Sequence, residues 1–465
     1  MIKENTLKLV KSNQTAFFET GKTRSTSKRI SHLKALKKCI KSNEKEIITA
    51  LQDDLAKPEA EIWLAEIYVT LVELNTVIKN LSFWAKPKRI TGKWLNFPSK
   101  DWIIPEPYGS TLHIAPWNYP FQLALNPLIG AVAAGNTVVL KPSEHAPQTA
   151  KILHKIISEV FPQEWVYVAE GGSEVAKELL DFRWDYIFFT GGTQVAKIVA
   201  KAAAEHLTPT TLELGGKNPC IVDYSANIAV TARRIVWGKF MNCGQVCMSP
   251  DYLLVHQDIY NDLVTALKAE IVSMYGENQQ ESPDYARLVH QGHVAKMKEL
   301  LKGQDIIFGG VVDEKERYVS PTLIALEHLD NSLMEDEIFG PLLPIITYKD
   351  EAEIHKTVKR FEKPLSLYVF SQRKKWARKL MKTYSYGGGM INDVIVYFTN
   401  ERLPFGGVGH SGTGNYHGKY SFDTFSHYKP YVERPTWFDP KQRYAPYGKS
   451  FPLLKKILRL KYPGQ

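Results

Sequence analysis

Cysteine is scarce in this sequence of 465 residues, which contains only Cys39, Cys220, Cys243 and Cys247. Their spacing matches no metal-binding pattern, because the one close pair has three residues between its members and no second pair or histidine cluster follows. So few cysteines in a long chain indicate reduced thiols rather than a disulfide framework. We therefore expect a cytoplasmic protein without a metal site.

Long apolar runs are also missing, since no stretch approaches the roughly 20 residues that cross a bilayer. The longest candidate, residues 121–134, is interrupted by Gln122, Asn126 and Pro127 and predicts a buried helix. The N-terminal residues MIKENTLKLVKSNQ lack the apolar core of a secretory signal. We expect neither a membrane span nor a leader.

Acidic residues are absent from residues 441–465, where seven Lys or Arg residues account for most of the net charge of +10. No zinc-finger, RNP-like or basic-zipper pattern accompanies this charge, so we expect no nucleic-acid partner. In residues 450–462, apolar positions recur at helical spacing between basic ones, as in a helix that lies on a membrane surface. The same stripe is equally consistent with a helix that packs on the protein itself.

The pattern of apolar residues predicts an α/β fold. Residues 30–55 and 62–81 show the three- and four-residue spacing of helices that face a core. From residue 110 onward, short apolar runs alternate with helical patterns, which is typical of βαβ units and a parallel sheet. The predicted strands are residues 112–115, 137–140, 165–168, 186–189, 211–214, 252–256, 343–348 and 366–370. Residues 86–108 and 426–435 break both patterns and predict an extended arm.

The segment MNCGQVCMSPDY, residues 241–252, places Cys247 in a polar turn before a predicted strand. A free thiol among small residues is either a nucleophile or a small core residue. Upstream, Glu213 ends another predicted strand and precedes two glycines, which let the backbone approach a ligand closely. Together, a thiol and a possible base favour nucleophilic catalysis.

Further polar turns follow other predicted strands. Lys141 and Glu144 lie where a nucleotide ribose would bind at the carboxyl edge of a sheet, although a solvated turn has the same pattern. The glycine turn at residues 190–196 suits a pyrophosphate at a helix N-terminus, or is a plain strand-to-helix turn. Asn118 is either an oxyanion donor or a helix cap. Glu337 and Phe339 point the same way if that segment is extended.

Six of these motifs occur in an order that resembles a known family. PWNYP, KPSE, FTGGT, LELGGKNP, GQVC and EIFGP stand at the spacings of the aldehyde dehydrogenase superfamily, and the resemblance covers essentially the whole chain. The C-terminal stretches PFGGVGHSGTGNYHGKYSFDTFSH and RYAPY resemble its class 3 branch, which includes fatty and aromatic aldehyde dehydrogenases. One departure is Ala196, which stands where the family commonly has a second glycine in the turn.

The resemblance implies NAD(P)-dependent oxidation of an apolar aldehyde, aliphatic or aromatic, to its carboxylic acid. It makes Cys247 the nucleophile, which forms a thiohemiacetal and then a thioester, Glu213 the general base, and Asn118 an oxyanion donor. Transfer of the acyl group to coenzyme A, or the reverse reduction, is the alternative. Glu213 argues against that alternative, because a hydrolytic base is needed only when water is the acceptor.

The resemblance also implies the cofactor and substrate contacts. NAD is the expected cofactor, with NADP as a second one. Its expected ligands are Lys141 and Glu144 on the adenosine ribose, Gly191, Gly192 and Thr193 on the pyrophosphate, Glu337 on the nicotinamide ribose and Phe339 beside the nicotinamide. The expected substrate tunnel is lined by Tyr119, Phe398, Phe405 and His417, each of which is alternatively a core residue.

In domain terms, the resemblance implies a Rossmann-like NAD(P)-binding domain, residues 1–85 and 109–210, and an α/β catalytic domain, residues 211–403. Residues 86–108 and 426–435 then form a β-arm for oligomerisation, with a homodimer as the simplest result. Residues 436–465 form a basic amphipathic C-terminal tail. That tail predicts peripheral membrane contact or, alternatively, a lid near the substrate entrance.

Overall fold

The fold is described from a computed structural model, which covers residues 4–93, 96–448 and 450–461. The chain forms two compact units. The larger unit contains residues 1–85 and 106–427, and the smaller unit contains residues 86–105 and 428–465. Residues 94 and 95 of the predicted arm, and residues 449 and 462–465 of the predicted tail, lie outside the described residues.

The helices and strands alternate through most of the larger unit, as the apolar pattern predicts. The helices are α1 (Glu4–Glu19), α2 (Thr26–Ser42), α3 (Glu44–Leu55), α4 (Glu59–Ile62), α5 (Val69–Trp84), α6 (Gln122–Ala134), α7 (Pro147–Val160), α8 (Ser173–Leu180), α9 (Thr193–Glu205), α10 (Ile228–Phe240), α11 (Tyr260–Tyr275), α12 (Gln291–Leu301), α13 (Glu351–Arg360), α14 (Lys374–Thr383), α15 (Lys419–Thr424) and α16 (Ser450–Lys461). The strands are β1 (Lys88–Ile90), β2 (Lys100–Pro107), β3 (Ser110–Ile114), β4 (Thr137–Lys141), β5 (Val166–Val168), β6 (Tyr186–Thr190), β7 (Thr210–Glu213), β8 (Pro219–Val222), β9 (Tyr252–His256), β10 (Asp305–Phe308), β11 (Val312–Asp313), β12 (Tyr318–Val319), β13 (Thr322–Leu326), β14 (Leu342–Tyr348), β15 (Ser366–Phe370), β16 (Gly388–Ile391), β17 (Gly412–Thr413) and β18 (Ser426–Glu433).

A six-stranded sheet has the order β17-β7-β6-β3-β4-β5, and its strands are parallel except for β17. The chain runs outward from β3 in both directions, so the carboxyl ends of β3 and β6 flank a topological switch point, where ligands bind in open α/β sheets. Strand β7 belongs to this sheet, because Thr211 and Leu212 pair with Phe188 and Phe189. The sheet therefore includes two strands, β7 and β17, that follow the domain boundary predicted at residue 210.

A seven-stranded sheet has the order β10-β13-β14-β9-β8-β15-β16, in which only β10 is antiparallel. Three of its strands, β9, β14 and β15, coincide with predicted strands to within one residue. The four-residue strand β8, with the sequence PCIV, pairs with β9 and β15 at the centre. Burial on both faces explains why these strands are nearly continuous apolar runs.

The predicted helix over residues 30–55 is divided at Asn43, which ends α2 and precedes α3. The backbone N–H of Asn43 donates to the carbonyls of Cys39 and Ile40, and its side-chain amide donates to Cys39 O at 2.8 Å. The predicted helix over residues 62–81 is continuous from α4 to α5 through a π-helical turn, Trp63–Tyr68. Such a turn shifts the helical register, and π-turns occur frequently at functional sites.

The smaller unit contains a three-stranded sheet with the order β1-β2-β18. Strands β1 and β2 are antiparallel, with Lys88 opposite Ile103. The rings of Trp102 and Tyr431 stack between the two predicted arm segments, with centroids 6.2 Å apart. The role of this sheet in oligomerisation stays a prediction.

Among the described residues, no helix has both the length and the apolar character needed to cross a membrane. Within the same residues, no group of three His, Cys, Asp or Glu side chains has the arrangement of a metal site.

Candidate active site

One cavity of about 1040 Å³ in the larger unit brings most of the predicted site residues together. Its wall combines a thiol, carboxylates, a glycine turn and aromatic rings, which the sequence separates by as much as 287 residues. The predicted residues in this wall are Asn118, Tyr119, Gly191, Gly192, Thr193, Glu213, Cys247, Glu337, Phe339, Phe398 and Phe405. This convergence is the main structural support for a single active site.

Cys247 lies in the loop between α10 and β9, where the backbone takes an unusual path. Three consecutive residues, Asn242, Cys243 and Gly244, have φ values of 50°, 54° and 71°. A side chain at position 244 would collide with the carbonyl oxygen of Gly340, so glycine is required there. After the turn, the Asn218 side-chain amide donates to Cys247 O at 2.7 Å. The loop is thus held on both sides of the thiol.

The electrostatic surroundings of Cys247 keep its thiol protonated at rest. Burial raises the pKa of the thiol, and the carboxylates of Glu337 and Glu213 raise it further. The backbone N–H groups of Cys247 and Met248 oppose this effect by stabilising a negative charge on sulfur. A nucleophilic role therefore requires that a base removes the thiol proton.

Cys243, the second thiol of this loop, has a different environment. It is fully buried, and its Sγ lies 3.5 Å from Tyr285 Oη. Burial raises the pKa of its thiol to about 12. These contacts favour a packing role over a catalytic one.

Asn118 lies between β3 and α6, and its side-chain Nδ2 donates to Gln245 O at 3.1 Å. This bond uses one of the two amide hydrogens and directs the amide toward the Cys247 loop. The backbone carbonyl of Asn118 accepts hydrogen bonds from Lys57 Nζ at 2.7 Å and Asn242 Nδ2 at 2.9 Å. Asn118 is therefore fixed from both its backbone and its side chain.

A buried ion pair that the sequence analysis missed supports Asn118. Lys57 and Glu66 lie 2.6 Å apart with fully buried side chains. Glu66 also accepts the backbone N–H groups of Phe121 and Gln122 at the start of α6, at 3.2 and 2.9 Å. The Lys57 ammonium lies 4.0 Å from the ring centroid of Tyr119. In the sequence, these charges look like an ordinary solvated helix face, because nothing there shows which distant segment they meet.

Glu213 ends β7 and lines the cavity, and neither of its carboxylate oxygens has a hydrogen-bond partner among the described residues. Burial raises the pKa of Glu213 well above its usual value. A buried, unpaired carboxylate is costly, and such groups concentrate at functional sites. Once ionised, this carboxylate is a stronger base than an exposed glutamate.

The glycine turn after β6 lies in the same cavity wall. Helix α9 begins at Thr193 after Gly192, which provides no side-chain cap. Within the described part of the chain, a Cβ at position 192 would meet no atom within 4 Å, and the buried hydroxyl of Thr190 has no hydrogen-bond partner. Open space beside uncapped helical N–H groups and a free hydroxyl suits an anionic group such as a pyrophosphate.

Glu337 and Phe339 line the same cavity as this turn. The Glu337 carboxylate packs against the backbone of Gly215 so closely that a side chain at position 215 would overlap it. Burial raises the pKa of Glu337 to about 8, and a hydrogen bond from the Gly216 backbone opposes the shift. Phe339 has a φ of 55°, and its ring meets that of Trp117 edge to face at 5.4 Å.

Lys141 and Glu144 lie outside the lining of this cavity and bind each other. Lys141 Nζ is 2.7 Å from Glu144 Oε2. Burial raises the pKa of Glu144, but the hydrogen bond and charge of Lys141, the Glu144 backbone N–H and the charge of His145 together lower it below its usual value. The pair lies at the carboxyl end of β4, on the same sheet edge as the glycine turn after β6.

The predicted tunnel residues divide into two groups. Tyr119, Phe398 and Phe405 line the cavity. His417 is not among the residues that line this cavity, and its place in the substrate tunnel stays a prediction. It is buried behind the wall, with its ring 4.4 Å from that of Phe398 and 5.3 Å from that of Phe405.

A sequence model of the aldehyde dehydrogenase family matches residues 3–430. The chain belongs to this family. It is 46% identical over 446 residues to 4,4'-diaponeurosporen-aldehyde dehydrogenase of Staphylococcus aureus, covering 96% of this chain and 97% of that one. It is also 45% identical to the dimeric NADP-preferring aldehyde dehydrogenase of Rattus norvegicus over 88% of this chain and 90% of that one.

The fold agrees with this membership. The solved structure of Staphylococcus aureus AldH in its substrate-bound state superposes with a TM-score of 0.95 at 45% identity, covering 97% of this chain and 99% of that one. The aldehyde dehydrogenase fold and family predicted from the ordered motifs are confirmed. The protein is therefore an NAD(P)-dependent aldehyde dehydrogenase, an oxidoreductase that acts on the aldehyde group.

Proposed function

We propose that the protein oxidises apolar aldehydes of medium or long chain, or aromatic ones, to carboxylic acids through a thioester on Cys247. The observation that carries this proposal is the single cavity shared by Cys247, Glu213, Asn118 and the uncapped start of α9. Nucleophile, base, oxyanion donor and cofactor turn are the parts that this reaction requires.

The reaction begins when the Cys247 sulfur attacks the aldehyde carbon. Because burial and two carboxylates keep the thiol protonated, the proton first moves to a carboxylate, and Glu213 has both oxygens available. The new C–S bond converts the carbonyl oxygen into an oxyanion. The Asn118 amide and the Cys247 backbone N–H stabilise this charge in the resulting thiohemiacetal.

A bound NAD or NADP would supply the hydride acceptor, and loss of hydride from the thiohemiacetal carbon would leave a thioester on Cys247. Gly191, Gly192 and Thr193 would hold the pyrophosphate with helical N–H groups, and Glu337 would accept hydrogen bonds from the nicotinamide ribose. Phe339 would limit the movement of the nicotinamide ring, and Lys141 and Glu144 would contact the adenosine ribose.

Glu213 first releases to solvent the proton that it took from the thiol; it then removes a proton from water, and the hydroxide adds to the thioester carbon. The C–S bond breaks, the acid leaves, and Cys247 regains its proton. A carboxylate with a raised pKa is suited to this step, since it holds the proton of water more strongly than an ordinary glutamate does. Transfer to coenzyme A would not need this base.

The substrate end of the cavity favours an apolar chain. Tyr119, Phe398 and Phe405 contribute aromatic surface, and Trp237 and Met274 extend the apolar lining. Burial of each methylene in such a wall contributes about 0.8 kcal/mol. Longer aliphatic aldehydes should therefore bind more tightly until the cavity is filled.

For the assembly, we propose a homodimer formed through the arm sheet of β1, β2 and β18. Strands β1 and β18 are the outer strands of this open sheet, and an edge strand is where a strand of a second subunit can add. We also propose that the tail helix α16 contacts anionic membrane surfaces and that the enzyme is otherwise cytoplasmic. Lys455, Lys456 and Arg459 supply its positive charge.

The two cysteines of the nucleophile loop provide a matched test of the chemistry. Cys247→Ala should abolish aldehyde oxidation with either cofactor, whereas Cys243→Ser should retain most of the activity because that thiol packs against Tyr285. The measurement is initial-rate kinetics with aldehydes of increasing chain length, together with thermal melting of each variant. Equal loss of activity in two folded variants would contradict the assignment.

A further inference from the structure

A carboxylate outside the family motifs lies in the cavity wall beside the nucleophile loop. Glu61, in α4, is half-buried and lines the cavity. Its Oε2 accepts the backbone N–H of Asn242 at 2.9 Å. Asn242 is the first of the three left-handed residues that precede Cys247. Glu61 therefore contacts this loop where its backbone departs from ordinary geometry.

Asn242 connects Glu61 with the remaining groups of the site. Its side-chain Nδ2 donates to Asn118 O at 2.9 Å and to Gln245 O at 3.2 Å. Gln245 O also accepts the Asn118 side-chain amide at 3.1 Å. A displacement of Asn242 would thus move both the oxyanion donor and the segment that leads to Cys247.

The backbone of this loop needs such support. Left-handed non-glycine residues are strained and persist only when their surroundings hold them. Asn242 and Cys243 are two of them in succession. The hydrogen bond to Glu61 is an external contact on the first of these residues.

We propose that Glu61 is a positioning residue, which holds the Cys247 loop and, through Asn242, the Asn118 amide in reactive geometry. The inference rests on the proposed roles of Cys247 and Asn118. It assigns no contact between Glu61 and the reacting atoms.

The bond should also weaken as the pH falls through neutrality. Burial raises the pKa of Glu61 to about 7, the Asn242 N–H and Lys57 lower it, and Asp284 raises it. An ionised carboxylate accepts a hydrogen bond more strongly than a protonated one does. The titratable and charged groups that act on Glu61, or on which it acts, are Lys57, Tyr119, Cys243, Tyr275 and Asp284.

Two substitutions separate the hydrogen bond from the charge. Glu61→Gln keeps a carbonyl oxygen that can accept the Asn242 N–H but removes the titration, whereas Glu61→Leu removes the acceptor. Glu59→Gln is the control, because Glu59 is an exposed carboxylate two residues away that does not line the cavity. The readouts are the rate of Cys247 alkylation by iodoacetamide, measured without aldehyde or cofactor between pH 6 and 9, and kcat.

Glu61→Leu should slow both alkylation of Cys247 and kcat by about tenfold, since the N–H groups that stabilise the thiolate lose their alignment. In Glu61→Gln, Cys247 should be alkylated at nearly the wild-type rate at pH 8. The plot of its alkylation rate against pH should lack the inflection that the wild type shows near pH 7. Glu59→Gln should match the wild type. A wild-type alkylation rate in folded Glu61→Leu would overturn the proposal.

If Glu61→Leu does not fold, the dependence of the Cys247 alkylation rate on pH in Glu61→Gln tests the proposal. An inflection near pH 7 that is the same as in the wild type would overturn it. Failure of the proposed function is a separate result. It would appear as aldehyde oxidation that survives Cys247→Ala, while alkylation of Cys247 in the wild type would still report on the geometry of the loop.

Discussion

The substitution Lys57→Met tests the buried support beneath Asn118. It removes the ammonium that binds Glu66 at 2.6 Å and Asn118 O at 2.7 Å, while keeping most of the side-chain volume. Glu66 then remains buried, with only the two N–H groups at the start of α6 as donors. Removing one partner of a buried ion pair costs about 3–5 kcal/mol, because it leaves an uncompensated charge.

The control is Lys155→Met, which breaks the exposed ion pair with Glu46, 2.7 Å apart. That pair should contribute at most about 1 kcal/mol, since both groups are solvated. Urea denaturation of both variants measures the difference. The account of this ion pair would be refuted if Lys57→Met lowered the free energy of unfolding by less than about 1 kcal/mol, as little as the control does.

The loss in Lys57→Met should also depend on pH. Burial already raises the pKa of Glu66, and Lys57 is the largest opposing influence. Without Lys57, the folded state favours protonated Glu66, whereas the unfolded state ionises near the ordinary pKa of glutamate. The stability that protonated Glu66 contributes is then lost as the pH rises. The free energy of unfolding of Lys57→Met should therefore be smaller at pH 8 than at pH 6.

Three further predictions concern the cofactor, the assembly and the tail. The wild type should bind NAD more tightly than NADP, because the Glu144 carboxylate repels a 2′-phosphate. Glu144→Gln should reduce this difference in affinity. A fluorescence titration in which the wild type binds NADP more tightly than NAD would contradict the prediction. Light scattering at micromolar concentration should show a dimer, and a stable monomer would count against the proposed role of the arm sheet. The full-length enzyme should co-sediment with anionic vesicles at low salt and lose this binding at high salt, whereas a variant that ends at Asp439 should not bind at either. If neither form binds while truncation changes the preferred aldehyde length, the tail is a lid.

Much of the fold could be predicted from the sequence because its buried parallel strands are short apolar runs between turns. Strands β9 and β15 begin and end at the predicted residues. Strand β8 was missed, since four residues that begin with Pro219 carry too little pattern to be separated from a loop. The break at Asn43 was missed because the apolar spacing continues across it.

The site could be predicted in part because the motif residues lie at strand ends and loops, which the fold brings to one cavity. The supports of these residues could not be predicted. Lys57 and Glu61 act on Asn118 and Asn242, which lie 61 and 181 positions away. Pairings over such distances depend on how helices pack on the sheets, and a single sequence carries no local signal for them.

The central claim, that a thioester on Cys247 is released by Glu213, is tested most directly by pre-steady-state kinetics of Glu213→Gln. We predict a burst of about one reduced cofactor per active site, followed by turnover slowed on the order of 10²–10⁴-fold, because an amide cannot take a proton from water. Mass spectrometry of the quenched variant should show the acyl group on the peptide that contains Cys247. Absence of a burst, with hydride transfer reduced as much as turnover, would contradict the account.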